Sequence, residues 1–150
     1  MNKKFMKEAL KQANKAYEID EVPVGAIIVK DDKIIARAYN KREKTNQAIM
    51  HAEIIAIQKA CKKLNSWRLD GCDIYVTLEP CLMCAGAILQ SRIKNVYFGA
   101  YDLKAGVLES KTNVYNIDFP HKVNFEGGIM KEESEKLIKK FFKELRIKKK

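Results

Sequence analysis

Two short motifs thirty residues apart place the tightest demand on this fold: His51-Ala52-Glu53, then Pro80-Cys81-Leu82-Met83-Cys84. Each stands where an apolar pattern of helical period begins, so each reads as the opening of a helix. Cysteines three apart share a helix face and can point at one ion. Pro80 suits a helix start, where its missing N–H costs nothing. The positive end of a helix dipole favours the thiolate, the form that binds metal. His51 would supply a third ligand from the other helix. Any architecture for this chain has to bring the two helix starts together.

The surrounding pattern supports such a meeting. Residues 2–18 read as an amphipathic helix on Phe5, Leu10, Ala13 and Ala16 or Tyr17. VPVGAIIVK (22–30) and KIIARAYN (33–40), joined by the Asp31-Asp32 turn, read as a strand hairpin. Residues 50–64 form a helical pattern with Ile54, Ile57, Cys61 and Leu64 on one face, followed by a strand at 73–78. A helix at 81–93, a strand at 94–100, a polar loop to about Pro120 and a strand at 121–127 come next. A basic helix at about 130–147 closes the chain, with Leu137, Ile138, Phe141, Phe142 and Leu145 as its apolar stripe. This alternation predicts a single α/β domain over 1–150, with helices on both faces of a five-stranded mixed sheet. Strands 73–78 and 94–100 are expected to run parallel, with the ligand site at carboxyl strand ends.

The donor set sharpens the chemistry. Three protein ligands that leave one tetrahedral position open describe a catalytic metal rather than a structural one. One nitrogen and two sulfurs favour zinc, with iron a distant second. Zinc held this way acidifies its bound water, and a carboxylate on the adjacent first helical turn can carry the protons of a hydrolysis. Glu53 has that place. H-x-E alone is weak, and C-x-x-C alone is ambiguous among redox, zinc and nothing. Their combination, in a chain with two histidines, is specific.

Charge and cysteine content bound the setting. The net charge is +10, and residues 136–150 carry +7 of it. On charge alone, a polyanion-binding end and a solvated tail stand even. The longest apolar stretches, such as Ala26 to Val29, are too short to span a bilayer, and the N-terminal residues lack a signal-peptide core. A cytoplasmic chain with no membrane partner is expected. Cys61 and Cys72 lack metal spacing and read as small buried apolar residues. His121 reads as a surface or strand residue.

The combined motif resembles the zinc deaminases that act on nucleobases. EVPVGAIIV (21–29), HAEIIAI (51–57), SWRLDGCDIYVTLEPCLMCAGAI (66–88), SRIKNVYFGA (91–100) and KKFFKELR (139–146) extend the likeness. Over nearly the whole chain they resemble the bacterial tRNA-specific adenosine deaminases, the TadA family. That resemblance implies a three-layer α/β/α cytidine deaminase-like fold, a homodimer, one zinc ion per subunit, and conversion of adenosine to inosine at the wobble position of a tRNA anticodon. It implies His51, Cys81 and Cys84 as zinc ligands and Glu53 as proton shuttle. Asn40 becomes a substrate contact, although as an isolated residue it reads as a turn. Val24, Gly25 and Ala26, with Ala52, become the base-pocket wall. Asp102, Lys104, Lys139, Lys140, Phe141, Phe142 and Arg146 become contacts to the anticodon arm, though for either phenylalanine a core position is favoured two to one.

Gln47-Ala48-Ile49-Met50, and Tyr101 with the run Leu108 to Asn113, depart from the family pattern, and both changes are expected to border the substrate. A deaminase of free guanine, cytosine or deoxycytidylate remains the rival reading. Such an enzyme has no use for a basic end. A non-catalytic, zinc-containing RNA-binding subunit is disfavoured by the presence of Glu53.

Overall fold

A computed structural model describes residues 3–148. Its elements in chain order are α1 (Lys3–Glu18), β1 (Gly25–Lys30), β2 (Lys33–Tyr39), the single-turn α2 (Arg42–Thr45) and α3 (Ala52–Leu64). They continue as β3 (Asp73–Leu78), α4 (Leu82–Gln90), β4 (Asn95–Ala100), a 3-10 turn at Val114–Asn116, β5 (Asn124–Glu126) and α5 (Lys131–Lys148). The expected strand at 121–127 shortens to three residues, and α4 ends three residues early.

The five strands form one sheet in the order β2-β1-β3-β4-β5. β1 runs antiparallel to β2 and β3, and β3, β4 and β5 run parallel, so the sheet is mixed as expected. β1 lies between two strands and under helices on both faces, which is why GAIIVK is apolar at nearly every position. β2 is an edge strand and alternates more openly. Asp31 and Asp32 both take positive φ, the turn that matches the twist of a two-residue hairpin and that aspartate tolerates.

Side chains alternate between two cores. Ile27, Val29 and Tyr75 pack with Phe5, Met6 and Ala9 of α1 on one face. Ala26, Ile28, Ile74, Val76, Val96 and Phe98 face α3 and α4 on the other. α5 joins α1 on the first face: Phe141 packs edge-on against Tyr17, whose hydroxyl donates to Glu144, and the Ser134 hydroxyl donates to the Thr77 carbonyl.

α1 buries Phe5, Ala13 and Ala16 as the apolar pattern expects, together with Met6 and Ala9, and leaves Leu10 half-buried. α3 departs from its pattern: it buries Ala52, Ile55, Ala56 and Ala60 while Ile54, Ile57, Cys61 and Leu64 are only half-buried. Small residues let a helix backbone approach the sheet most closely, so alanine holds the centre of the contact and the bulkier residues flank it. Cys72 is buried in the core and Cys61 is half-buried, both as free thiols. Among the described residues no helix is long and apolar enough to cross a membrane.

Gly25 marks the closest approach. A Cβ there would lie 2.1 Å from the Ala9 carbonyl oxygen and 2.4 Å from the Ala13 nitrogen. Gly25→Ala has to displace a helix backbone, and overpacking of that kind costs about 1–3 kcal/mol. Urea unfolding of the variant is expected to show that loss; an unchanged midpoint would contradict the packing.

Candidate metal centre and cavity

The first functional side chains stand at the ends of the sheet where strands hand over to helices. His51 occupies the N-cap of α3 (φ −74°, ψ 157°) and Cys81 the N-cap of α4 (φ −80°, ψ 176°). Serine, threonine, aspartate or asparagine would normally cap such ends. Neither His51 nor Cys81 makes a side-chain cap bond. Their extended backbone instead directs both side chains toward a common point. Cys84, one turn into α4, is fully buried beside them. Pro80 falls one residue before the cap rather than inside the first turn.

His51 Nδ1 lies 3.7 Å from Cys81 Sγ and 3.5 Å from Cys84 Sγ, and the three donor atoms lie within 4.8 Å of one another. Tetrahedral zinc with bonds of about 2.0–2.3 Å would separate a nitrogen and a sulfur ligand by about 3.6 Å. The spacing and the chemistry of the donors fit a zinc-sized ion. Their own electrostatics agree. The hydrogen bond from Cys84 and, against burial, the one with His51 hold the Cys81 thiol down at about 4. The bond it gives Cys81, together with burial, drives Cys84 far above the usual thiol range. His51 is raised, chiefly by its bond with Cys81. One thiolate next to two protons that a cation would displace is a metal-ready arrangement.

Glu53 is 4% exposed on the first turn of α3. Burial, with the charge at Cys81 adding to it, pushes its carboxyl up to about 7. His51, Glu53 and Cys81 line a cavity of about 240 Å³ together with Val24, Asn40 and Ala52. Asn40 is buried; its amide donates to the Val22 carbonyl at 3.2 Å and its oxygen accepts the Arg42 N–H at 3.1 Å. Val22, Arg42, Leu78, Glu79 and Ala105 also line the cavity, and the motifs singled out none of them. Tyr115 was likewise illegible: it is a half-buried residue in an aperiodic loop, and its hydroxyl donates to the Ala85 carbonyl of α4 at 2.9 Å.

Several expected site residues lie elsewhere. Gly25 faces α1 and Ala26 faces the α3 side of the core, because pleating turns successive residues to opposite faces of β1; neither lines the cavity. Asp102 does line it. Lys104, Lys139 and Phe142 gather with Asp102 along an adjoining groove of about 710 Å³ between the 101–105 loop and α5. Phe142 is 39% exposed there, whereas Phe141 is buried against Tyr17. Lys140 lies over the Tyr17 ring, 5.1 Å from its centroid, and Arg146 is exposed near the helix end. Lys149 and Lys150 of the basic end lie outside the described residues. Neither departing segment lines the cavity: Leu108 is fully buried in the core, and Ile49 is half exposed. His121 is half-buried, outside any strand, with Nε2 2.8 Å from the Ile93 carbonyl oxygen.

Residues 1–146 match the family model of the MafB19-like deaminases. The chain is 48% identical over 147 residues to the tRNA-specific adenosine deaminase of Bacillus subtilis (strain 168), covering 97% of this chain and 91% of that one. It is 49% identical over 144 residues to the tRNA-specific adenosine deaminase of Rickettsia bellii (strain RML369-C), covering 94% and 99%. A solved structure from a study of A-to-I editing by tRNA:A34 deaminases at the wobble position superposes with a TM-score of 0.85 at 43% identity, covering 89% and 98%.

An ion held by this donor set ties α3 to α4, so it stabilises the folded chain by about 2.7 kcal/mol at a hundredfold excess over its Kd. Thermal unfolding with zinc and then with a chelator is expected to show this difference. Cys84→Ala should abolish the difference, whatever it does to the baseline.

Proposed function

The chain belongs to the MafB19-like deaminases and, within them, to the tRNA-specific adenosine deaminases, and from that premise we propose its reaction. It hydrolyses adenosine to inosine at the wobble position of a tRNA anticodon, with one zinc ion per subunit held by His51, Cys81 and Cys84. The observation that carries this reading is the buried Glu53 carboxyl beside that donor set in a cavity shared with Asn40. A metal held only for structure has no use for such a neighbour.

Zinc, when bound, supplies a water acidic enough to react near neutral pH. The chain's own residues supply the rest. Glu53 would accept a proton from the water and deliver it to the adenine ring nitrogen N1, then take the proton of the new C6 hydroxyl and give it to the departing amine as the C6 carbonyl forms. Water and adenosine become inosine and ammonia, and Glu53 returns to its starting state. Asn40 already gives one N–H and one oxygen lone pair to the backbone, and it keeps one of each for the edge of a base. Val24 and Ala52 add apolar wall. At about 240 Å³ the cavity is smaller than sites for drug-sized ligands, which suits a single base turned out of its stack. The groove carrying Lys104, Lys139 and Phe142 continues from it and offers cations to phosphates and an aromatic face to a neighbouring base. The homodimer and the cytoplasmic location are carried over from the family resemblance.

The deciding assay uses zinc-loaded protein on an anticodon stem-loop with adenosine at the wobble position. Inosine is expected from the wild type, and Glu53→Gln is expected to lose about 10²–10⁴ in rate while keeping its zinc. A wild type that is folded, loaded and inactive would overturn the reading and direct the search to free guanine and cytosine nucleotides. In binding titrations, Lys139→Ala is expected to flatten the dependence of log K on log salt by about 0.7, the value for one lost phosphate contact on a single strand. Lys140→Ala, on the side facing Tyr17, is expected to leave that slope unchanged.

A further inference from the structure

Asp102 and Ala105 bring one wall of the cavity from a loop, residues 101–110, that has turns but no helix or strand. Its backbone converges on one side chain. Glu79 is 2% exposed and directs its carboxylate into the loop. Oε1 accepts the Asp102 N–H at 3.1 Å and the Ser110 hydroxyl. Oε2 accepts the N–H groups of Leu108 at 3.0 Å, Glu109 at 2.8 Å and Ser110 at 3.0 Å. Among the described residues no cation pairs with Glu79. The charge is met entirely by backbone donors and one hydroxyl.

Gly106 makes this approach possible. A Cβ there would lie 2.3 Å from Glu79 Cδ and 2.4 Å from Oε1, so a side chain at 106 would push the carboxylate away. Two further bonds join the same partners: the Val107 N–H donates to the Pro80 carbonyl at 3.1 Å, and the Glu79 N–H donates to the Ala100 carbonyl at 2.8 Å. Glu79 stands two residues before Cys81. One short segment therefore carries both a donor of the metal centre and the anchor of the cavity wall.

We propose that Glu79 is a positioning residue for substrate binding: its carboxylate fixes the 101–110 loop against the metal-holding segment and so sets where Asp102 and Ala105 meet the substrate. The proposal rests on the adenosine deaminase reading above for its substrate. A carboxylate is required because every neighbour donates. Glutamine has the same shape, but its amide oxygen must then sit where three N–H groups converge, which turns its NH₂ toward the Asp102 N–H, donor against donor. The anchor reads backbone rather than side chains, so the residues it holds can differ in sequence while the wall keeps its place.

The test compares wild type, Glu79→Gln, Gly106→Ala and the double variant, all zinc-loaded. On the wobble-adenosine stem-loop, both single variants are expected to raise KM about tenfold with kcat within about threefold, since a displaced wall weakens binding of ground and transition state alike. Zinc content should stay at the wild-type level. Amide hydrogen exchange at Asp102, Leu108, Glu109 and Ser110 is expected to quicken about tenfold or more while β1 and β3 amides keep their protection. The double variant should be no worse than the poorer single one, because both changes break the same contact. Wild-type KM, a fall in kcat alone, or exchange that quickens throughout the sheet would each overturn the proposal. If the wild type makes no inosine, the substrate reading fails, and the exchange comparison alone decides whether Glu79 holds the loop.

Discussion

The candidate metal centre depends on one geometric fact: two helices start at the same place. His51 and Cys81 are thirty residues apart, on helices that follow β2 and β3, and the sheet order sets β1 between those strands. The donors come together because each stands at an N-cap, where the backbone is still extended and the side chain is free to leave the helix axis. A capping serine or aspartate would have satisfied its own helix instead. Each helix forgoes that bond, commonly worth about 1 kcal/mol, and a shared cation can repay it many times over. The helix ends then serve the metal centre first and local stability second.

The same sheet edge holds three buried glutamates whose surroundings give them different work. Glu79 feels the cost of burial, yet the N–H groups and hydroxyl around it outweigh that cost and hold its carboxyl below the usual range. Glu53 is buried to a similar degree without such a ring of donors, and burial leaves it at about 7. Hydrogen bonds to the charged form separate the two cases. Glu21 belongs with Glu79: fully buried, it accepts the N–H groups of Glu43 at 3.0 Å and Lys44 at 2.6 Å and so holds α2, which carries Arg42, close after Asn40. Glu21 and Glu79 each hold one flank of the cavity through N–H groups, and Glu53, bonded instead to its own backbone N–H and to Cys84, lies beside His51 and Cys81. That contrast supports the proton-carrying role proposed for Glu53.

What could be read from the chain follows from what each feature is made of. The gathering of His51, Cys81 and Cys84, the position of Glu53 beside them and the helix-strand alternation were legible because they rest on residue identity at fixed spacing and on periodicity. The inward face of α3 was not, since large residues dominate a periodicity while alanines occupy the closest contact. Gly25 and Ala26 were misplaced through the likeness of a motif: a matching stretch of sequence does not say which face of a strand each residue takes. The loop after β4 was the least legible part. Its conformation comes from backbone N–H groups meeting Glu79, and any residue except proline can supply an N–H.

That division separates two tasks. The proposed proton chemistry rests on the identity of four side chains: one imidazole, two thiols and one carboxyl. The walls proposed to meet the substrate are held chiefly by backbone N–H groups bonded to Glu21 and Glu79, with the Ser110 hydroxyl as a further donor to Glu79. Leu108 illustrates the point, since it departs from the family pattern yet is fully buried in the core and presents nothing to the cavity. A change in that loop is expected to act on substrate binding where its side chain reaches the cavity or the adjoining groove, as at Asp102, Lys104 or Ala105, or where it disturbs the carboxylate beneath, as at Gly106 or Ser110. Distance from the metal along the sequence is therefore a poor guide to influence on the reaction. The useful guide is whether a residue lines the cavity or touches one of the two carboxylates that hold its walls.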